Sequence, residues 1–187
     1  AQLSDDKGRA VADRPVQLLA RPASRSVWNV VAAGRTDSNG RVPLSVVLPG
    51  SSTLRLQHPA DDVAASQSDL GSVAVLQRVT AAGSASRVAV GVPVAVRGSV
   101  LPSRSDAVVR LQSWSGRTWS TVTSGRTSSS GAYRLSWRPS SAGTATLRVV
   151  APATSGSLTG VSTAVKVTAY DTVASLAKAT LADRRIT

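Results

Sequence analysis

Residues 34–44 read GRTDSNGRVPL, and residues 125–135 read GRTSSSGAYRL. The two stretches begin 91 residues apart, and the same spacing carries Trp28 onto Trp119, Val31 onto Val122 and Leu44 onto Leu135. Farther along, TLRLQHPA at 53–60 meets TLRVVAPA at 146–153 with a spacing of 93. Two residues have therefore entered between matching segments, which is where loops take insertions. Upstream, Val16-Gln17-Leu18 answers Val109-Arg110-Leu111, and VTA recurs at 79–81 and 167–169. A period of about 90 residues is too long for a solenoid repeat and fits a duplicated globular domain.

Within each unit the apolar residues alternate. Tyr133, Leu135 and Trp137 share one parity while Arg134, Ser136 and Arg138 take the other, and Val42, Leu44 and Val46 repeat the pattern in the first unit. This is the pattern of a half-buried strand with its arginines in water. Leu54-Arg55-Leu56, Leu147-Arg148-Val149 and the run Val92 to Arg97 read the same way. Short strands separated by clusters of turn residues predict an all-β sandwich. A helical tendency is confined to SLAKATLADRR near the end.

DSNG and SSSG fall between the Trp-bearing strand and the next one, where a hairpin needs residues that tolerate positive φ; Gly40 and Gly131 supply that freedom. Asp37 and Asn39 also resemble the start of a calcium loop. Such a loop requires further oxygen ligands and a distal bidentate carboxylate, and the second copy keeps the turn while dropping both ligands, so the stretch is read as a turn.

The succession Val-x-Leu, then Trp, Val and Gly-Arg-Thr, then Ser-x-Gly-x-Tyr-x-Leu, then Gly-Thr-x-x-Leu-Arg-Val resembles the bacterial immunoglobulin-like domains that occur in tandem in secreted and cell-surface proteins, especially of actinobacteria. The resemblance covers essentially the whole chain. Transthyretin-like regulatory domains, which share a Thr-Asp-x-x-Gly turn, are a near alternative of similar architecture. The resemblance implies tandem Greek-key β-sandwiches, an extracellular or cell-surface setting, and a spacer or adhesive role without catalysis. The expected division is residues 1–81 as one sandwich lacking its first strand or strands, 82–170 as a second, and 171–187 as a linker and the opening of a third. Partners expected on this basis are other domains of a parent protein, with a strand exchanged between chains at the incomplete edge; the alternative, which the charge below suggests, is a binding module for an anionic cell-wall polymer or carbohydrate, accessory to a secreted hydrolase or independent of one.

The chain of 187 residues has no Cys, no Met, no Phe and no Glu, and one histidine, His58. Without cysteine there is neither a disulfide nor thiolate chemistry. No run reaches the roughly 18 apolar residues of a membrane-spanning helix. Catalysis needs converging acids, bases or nucleophiles, and His58 lies just after an expected strand, in the Gln-His-Pro-Ala turn, with Ala151 as its counterpart. No catalytic residue, cofactor or metal site is therefore assigned, and an enzyme is not expected. Charge is more informative: residues 82–170 hold ten basic side chains and one acid, against nine and seven in residues 1–81. Nineteen of the 22 basic residues are arginine, whose planar fork suits phosphate and carboxylate. Arg110, Trp114, Arg117 and Arg126 are accordingly the candidate contacts for a polyanion or glycan, with no specific nucleic acid implied. Trp137 is expected in the core by its parity, and Trp28 and Trp119 are expected to cover one end of each sandwich.

Overall fold

The computed structural model describes residues 1–172; the expected opening of a third unit and the helical tendency of SLAKATLADRR lie outside the described residues. The described chain is all β. The first sheet is built from β1 (Pro15–Pro22), β2 (Asn29–Arg35), β3 (Ser52–His58) and β4 (Ser66–Val73), in the order β2-β1-β3-β4 and antiparallel throughout. Its inward residues are those of the alternating pattern: Val16, Leu18 and Ala20 on β1 are buried.

The remaining strands are β5 (Arg78–Val79), β6 (Ala82–Gly83), β7 (Arg87–Ala89), β8 (Val94–Leu101), β9 (Val108–Trp114), β10 (Trp119–Arg126), β11 (Ala132–Trp137), β12 (Gly143–Ala151), β13 (Gly160–Val161) and β14 (Val165–Tyr170). They form two facing sheets, β10-β9-β12-β14-β7 with β13 beside β12, and β11-β8-β5 with β6 beside β8. The chain changes sheet between β8 and β9, returns between β10 and β11, and crosses again to β12, which is an immunoglobulin-like Greek-key arrangement. Between the sheets lie Val96, Val109, Leu111, Leu147, Val149 and Val167, all with no exposure. Burying each such side chain contributes about 1.5–3 kcal/mol, and packing alone holds the layer together. Trp137 is half-buried and packs against this core, as its parity predicts. Arg78 and Val79 pair with β8, and Val79 joins the same core.

The Gly-Arg-Thr stretches acquire a physical reason. Gly34 and Gly125 lie under side chains of the opposite layer: a Cβ there would stand 2.7 Å from a methyl of Val42 and of Leu135, respectively. The next residue reaches back to an aspartate: Arg35 donates to the Asp13 carboxylate at 2.6 Å, and Arg126 to that of Asp106 at 3.0 Å. Both aspartates take a left-handed backbone, with φ of 51° and 61°. The threonine is buried, and its hydroxyl accepts from one amide while donating to one carbonyl. Thr36 accepts from Arg14 N–H and donates to Val11, both at 3.0 Å or less, and Thr127 accepts from Ala107 N–H at 3.0 Å and donates to the Arg104 carbonyl. Gly40 and Gly131 then close the turn with φ of 71° and 79°.

One expectation is corrected. Val42, Leu44 and Val46 keep their inward parity, with Val42 buried and the other two half-buried, but 42–49 forms no strand. A strand exists through its ladder, and only the start of this lane is paired: Gln2 bridges Arg41, Leu3 N–H donates to Gly40 at 2.7 Å, and Val42 N–H donates to Ala1 at 3.0 Å. In the second unit the same lane is filled by β8, with Val96 opposite Leu135 and Val94 opposite Trp137. Among the described residues no strand runs beside Leu44 or Val46.

Substituting Gly131 by alanine places a Cβ on a left-handed backbone and against the Val100 carbonyl oxygen. A loss of at least about 1 kcal/mol is expected in chemical unfolding. Gly116→Ala, at a similar φ but with open space around it, is expected to cost less.

Candidate functional site

The strongest concentration of unusual side chains lies on the outward face and one end of the second unit. On β9, Val109 and Leu111 point into the core, so Arg110, Gln112 and Trp114 take the other face. Trp114 pairs across the ladder with Trp119, and Gln112 with both Thr121 and Arg148. The two indole centroids lie 5.3 Å apart at 49°. The Arg148 guanidinium sits 4.1 Å from the Trp119 ring centroid, and its Nε donates to Gln112 Oε1 at 2.9 Å. Trp119 is thus flanked by Trp114 and Arg148.

The first unit has the same pillar with a different flank. Trp28 carries Arg55 at 4.6 Å and Arg21 at 5.1 Å, and Arg55 is itself held by Asp69 at 2.6 Å. Arg55 precedes Arg148 by 93 residues, and Arg21 precedes Trp114 by 93. The expectation that Trp28 and Trp119 cover an end of each sandwich is therefore corrected: they stand on outward sheet faces, half-buried beneath arginines. A guanidinium over an indole contributes about 0.5–1 kcal/mol at such exposure, which explains a large aromatic ring on the wet side of a sheet.

The four residues expected to touch a ligand do not converge. Trp114, 40 % exposed, and Arg117 share the β9–β10 hairpin, while Arg110 is exposed in the middle of β9. Arg126 stands at the far end of β10, about 20 Å from Trp119 by strand rise, where it is committed to Asp106.

Three residues nearer to Trp114 were not singled out as contacts by the sequence. Trp137, Arg138 and Val122 line, with Trp114, a cleft of about 360 Å3 at one end of the sandwich, rimmed by Ser113 and Ser140. Val122 is left outside the ladder by the register shift between Thr121 and Thr123. The available signal was a comparison of the two units: the spacings that align them set Trp114, Trp137 and Arg138 where the first unit has Arg21, Val46 and Val47.

His58 is placed differently from the turn reading. It is the last residue of β3, its side chain is 1 % exposed, and its Nδ1 lies 2.8 Å from the Pro15 carbonyl. Its Nε2 has no hydrogen-bond partner, with Asp61 at 3.5 Å. A ring so enclosed ties β3 to β1. Asp37 accepts from the amides of Asn39 and Arg41, each at 2.8 Å, which is the geometry of a turn. Among the described residues no group of three or more metal-ligating side chains comes together.

No protein-family model matches the chain, and no curated protein does. Among solved structures, the D0-D1 domain of intimin is similar at 12 % identity and a TM-score of 0.35, over 88 % of this chain and 86 % of that one. The Yersinia pseudotuberculosis adhesin InvE is similar at 14 % identity and a TM-score of 0.36, over 89 % of this chain. The chain spans about half of that adhesin, 52 %. The immunoglobulin-like assignment rests on the strand order above.

Acid distinguishes the two units. Backbone amides hold the Asp5, Asp37 and Asp61 carboxyls below the usual range, led by those of Arg9, Arg41 and Val63, and arginine side chains do the same for Asp13 (Arg35) and Asp69 (Arg55). A carboxyl whose folded value is depressed stabilises the fold above its unfolded value, near 3.8, and that contribution is lost as pH falls through the folded value. All five lie in the first unit. Calorimetric melts taken at pH 7 and near pH 3 are expected to show the first unit's transition moving down while the second's holds its position.

Proposed function

We propose that the chain is a non-catalytic spacer or adhesive segment of a larger bacterial surface or secreted protein, in which tandem units set the distance and orientation of what they carry. The observation that carries this reading is the joint between the units. Gln77, 6 % exposed, donates from its side-chain amide to the carbonyls of Pro152 at 2.9 Å and Leu158 at 3.1 Å. Beside it, Leu158 N–H donates to Val75 at 2.9 Å and Ser51 N–H to Gly156 at 2.7 Å. Backbone and buried side-chain bonds of this kind resist bending, whereas a flexible tether would leave the connecting residues solvated. A buried layer of aliphatic side chains, with no acid, base and nucleophile converging among the described residues, also favours a mechanical role.

Partners under this reading are the neighbouring domains of the parent protein. The unpaired lane along Leu44 and Val46 is the place where another chain would exchange a strand. Sedimentation that depends on concentration supports that contact, and a monomer at every concentration removes it.

Because the chain has no cysteine, spin labels can be placed at Ser68→Cys and Ser120→Cys without background. Pulsed electron-electron resonance is expected to give one narrow distance distribution, broadened by Gln77→Ala. A broad distribution in the parent chain would remove the spacer reading.

A further inference from the structure

The two units share the order of one sheet, β2-β1-β3-β4 against β10-β9-β12-β14, together with their threonine-locked turns and their tryptophan pillar, so departures of the second from the first within these shared parts mark what the scaffold does not require. Three departures meet at one feature. Where the first unit has Arg21, Val46 and Val47, the second has Trp114, Trp137 and Arg138, and all three line the cleft of about 360 Å3 at the end of the sandwich. They come from different strands and from the loop after β11, so their convergence is a property of the fold. The first unit keeps its Trp28 pillar without any of them.

We propose that this cleft is a saccharide-binding site for a pyranose ring that carries an anionic substituent. A volume of this size lies at the small end of ligand pockets, which combine apolar walls with a few placed polar groups. Here the walls are Trp114, Trp137 and Val122, and the rim carries hydroxyls of Ser113 and Ser140. Indole surfaces take the C–H faces of a sugar ring, and serine hydroxyls donate to and accept from its hydroxyls. The anionic substituent follows from charge. Arg138 donates to the Gly91 carbonyl from one NH group at 2.6 Å and is exposed, so its other N–H groups are free to meet a carboxylate or phosphate. Arg117 lies on the neighbouring hairpin, and the single acid of residues 82–170, Asp106, is held by Arg126 at the far end of β10. Within residues 82–170 no second acid is present to repel such a ligand, and Asp171 follows β14, whose Ala169 pairs with the cleft residue Gly143.

The test is titration of the whole chain, at about 0.15 M salt, with tetragalacturonate and with uncharged maltotetraose, read by tryptophan fluorescence and by calorimetry. Tetragalacturonate is expected to bind and to shift the tryptophan emission, with maltotetraose at least about tenfold weaker, a difference of about 1.4 kcal/mol. Trp114→Ala is expected to weaken tetragalacturonate about tenfold or more, and Arg138→Gln to erase the preference for the charged sugar. Trp137→Val restores the residue of the first unit and is expected to act like Trp114→Ala, with circular dichroism confirming its fold. Arg97→Ala, on the outer face of the other sheet, is expected to bind as the parent does. No binding, equal binding of both sugars, or equal weakening by Arg97→Ala and Arg138→Gln would overturn the proposal.

Discussion

A buried threonine hydroxyl fixes where each unit turns. Thr36 and Thr127 each bind an amide and a carbonyl of the loop that enters the adjacent strand, and Thr127 does so at the point where the chain leaves one sheet for the other. Once that loop is tied down, the arginine one residue earlier meets its left-handed aspartate, and the glycine four residues later can close the turn. The inward parity of every following strand then follows, because a slip of one residue would send Leu135 and Tyr133 into water. The core is the result of this alignment: Leu111, Leu147, Val149 and Val96 meet because the turns deliver their strands in register.

The same constraint shows why the units differ in completeness. A sheet with one apolar face needs a second layer. In the second unit β8 and β11 provide it, and Tyr133 adds a buried hydroxyl that donates to the Thr80 carbonyl while burial raises its pKa. In the first unit Val42, Leu44 and Val46 lie over the sheet in the right parity without a ladder beyond Val42. Beyond Val42 the cover they give the sheet comes from side-chain packing and not from a ladder.

Much of this was legible in the sequence because it is local. Alternation identified β11, β12 and β9 and the inward residues of each, and the Gly-Arg-Thr stretches announced turns, but not the hairpins expected of them: the turn at Gly131 joins β10 and β11, which lie in different sheets, and no strand follows the turn at Gly40. What was not legible depends on neighbours distant in the chain. The Val42–Val46 segment has the pattern of a strand, but pattern cannot say whether a partner lies alongside. His58 read as a turn residue because the carbonyl that encloses it, that of Pro15, is 43 positions away. Trp28 and Trp119 read as end caps because the arginines that shelter them sit on other strands. The cleft escaped notice for the same reason: Trp114, Val122 and Trp137 belong to three strands, and only the register shift in β10 sets Val122 beside the others.

The parallel pairing of β7 with β14 carries a mechanical consequence. Arg87, Val88 and Ala89 run alongside Thr168, Ala169 and Tyr170 in the same direction, so the first and last strands of that sheet edge are neighbours. Tension applied at the two ends of the unit pulls them past each other along their length. Their hydrogen bonds are then loaded together in shear, where an antiparallel hairpin pulled from its open end would unzip one rung at a time. Resistance to stretching is thereby concentrated in a few rungs, and a tethered protein built from such units would yield abruptly, at a threshold force.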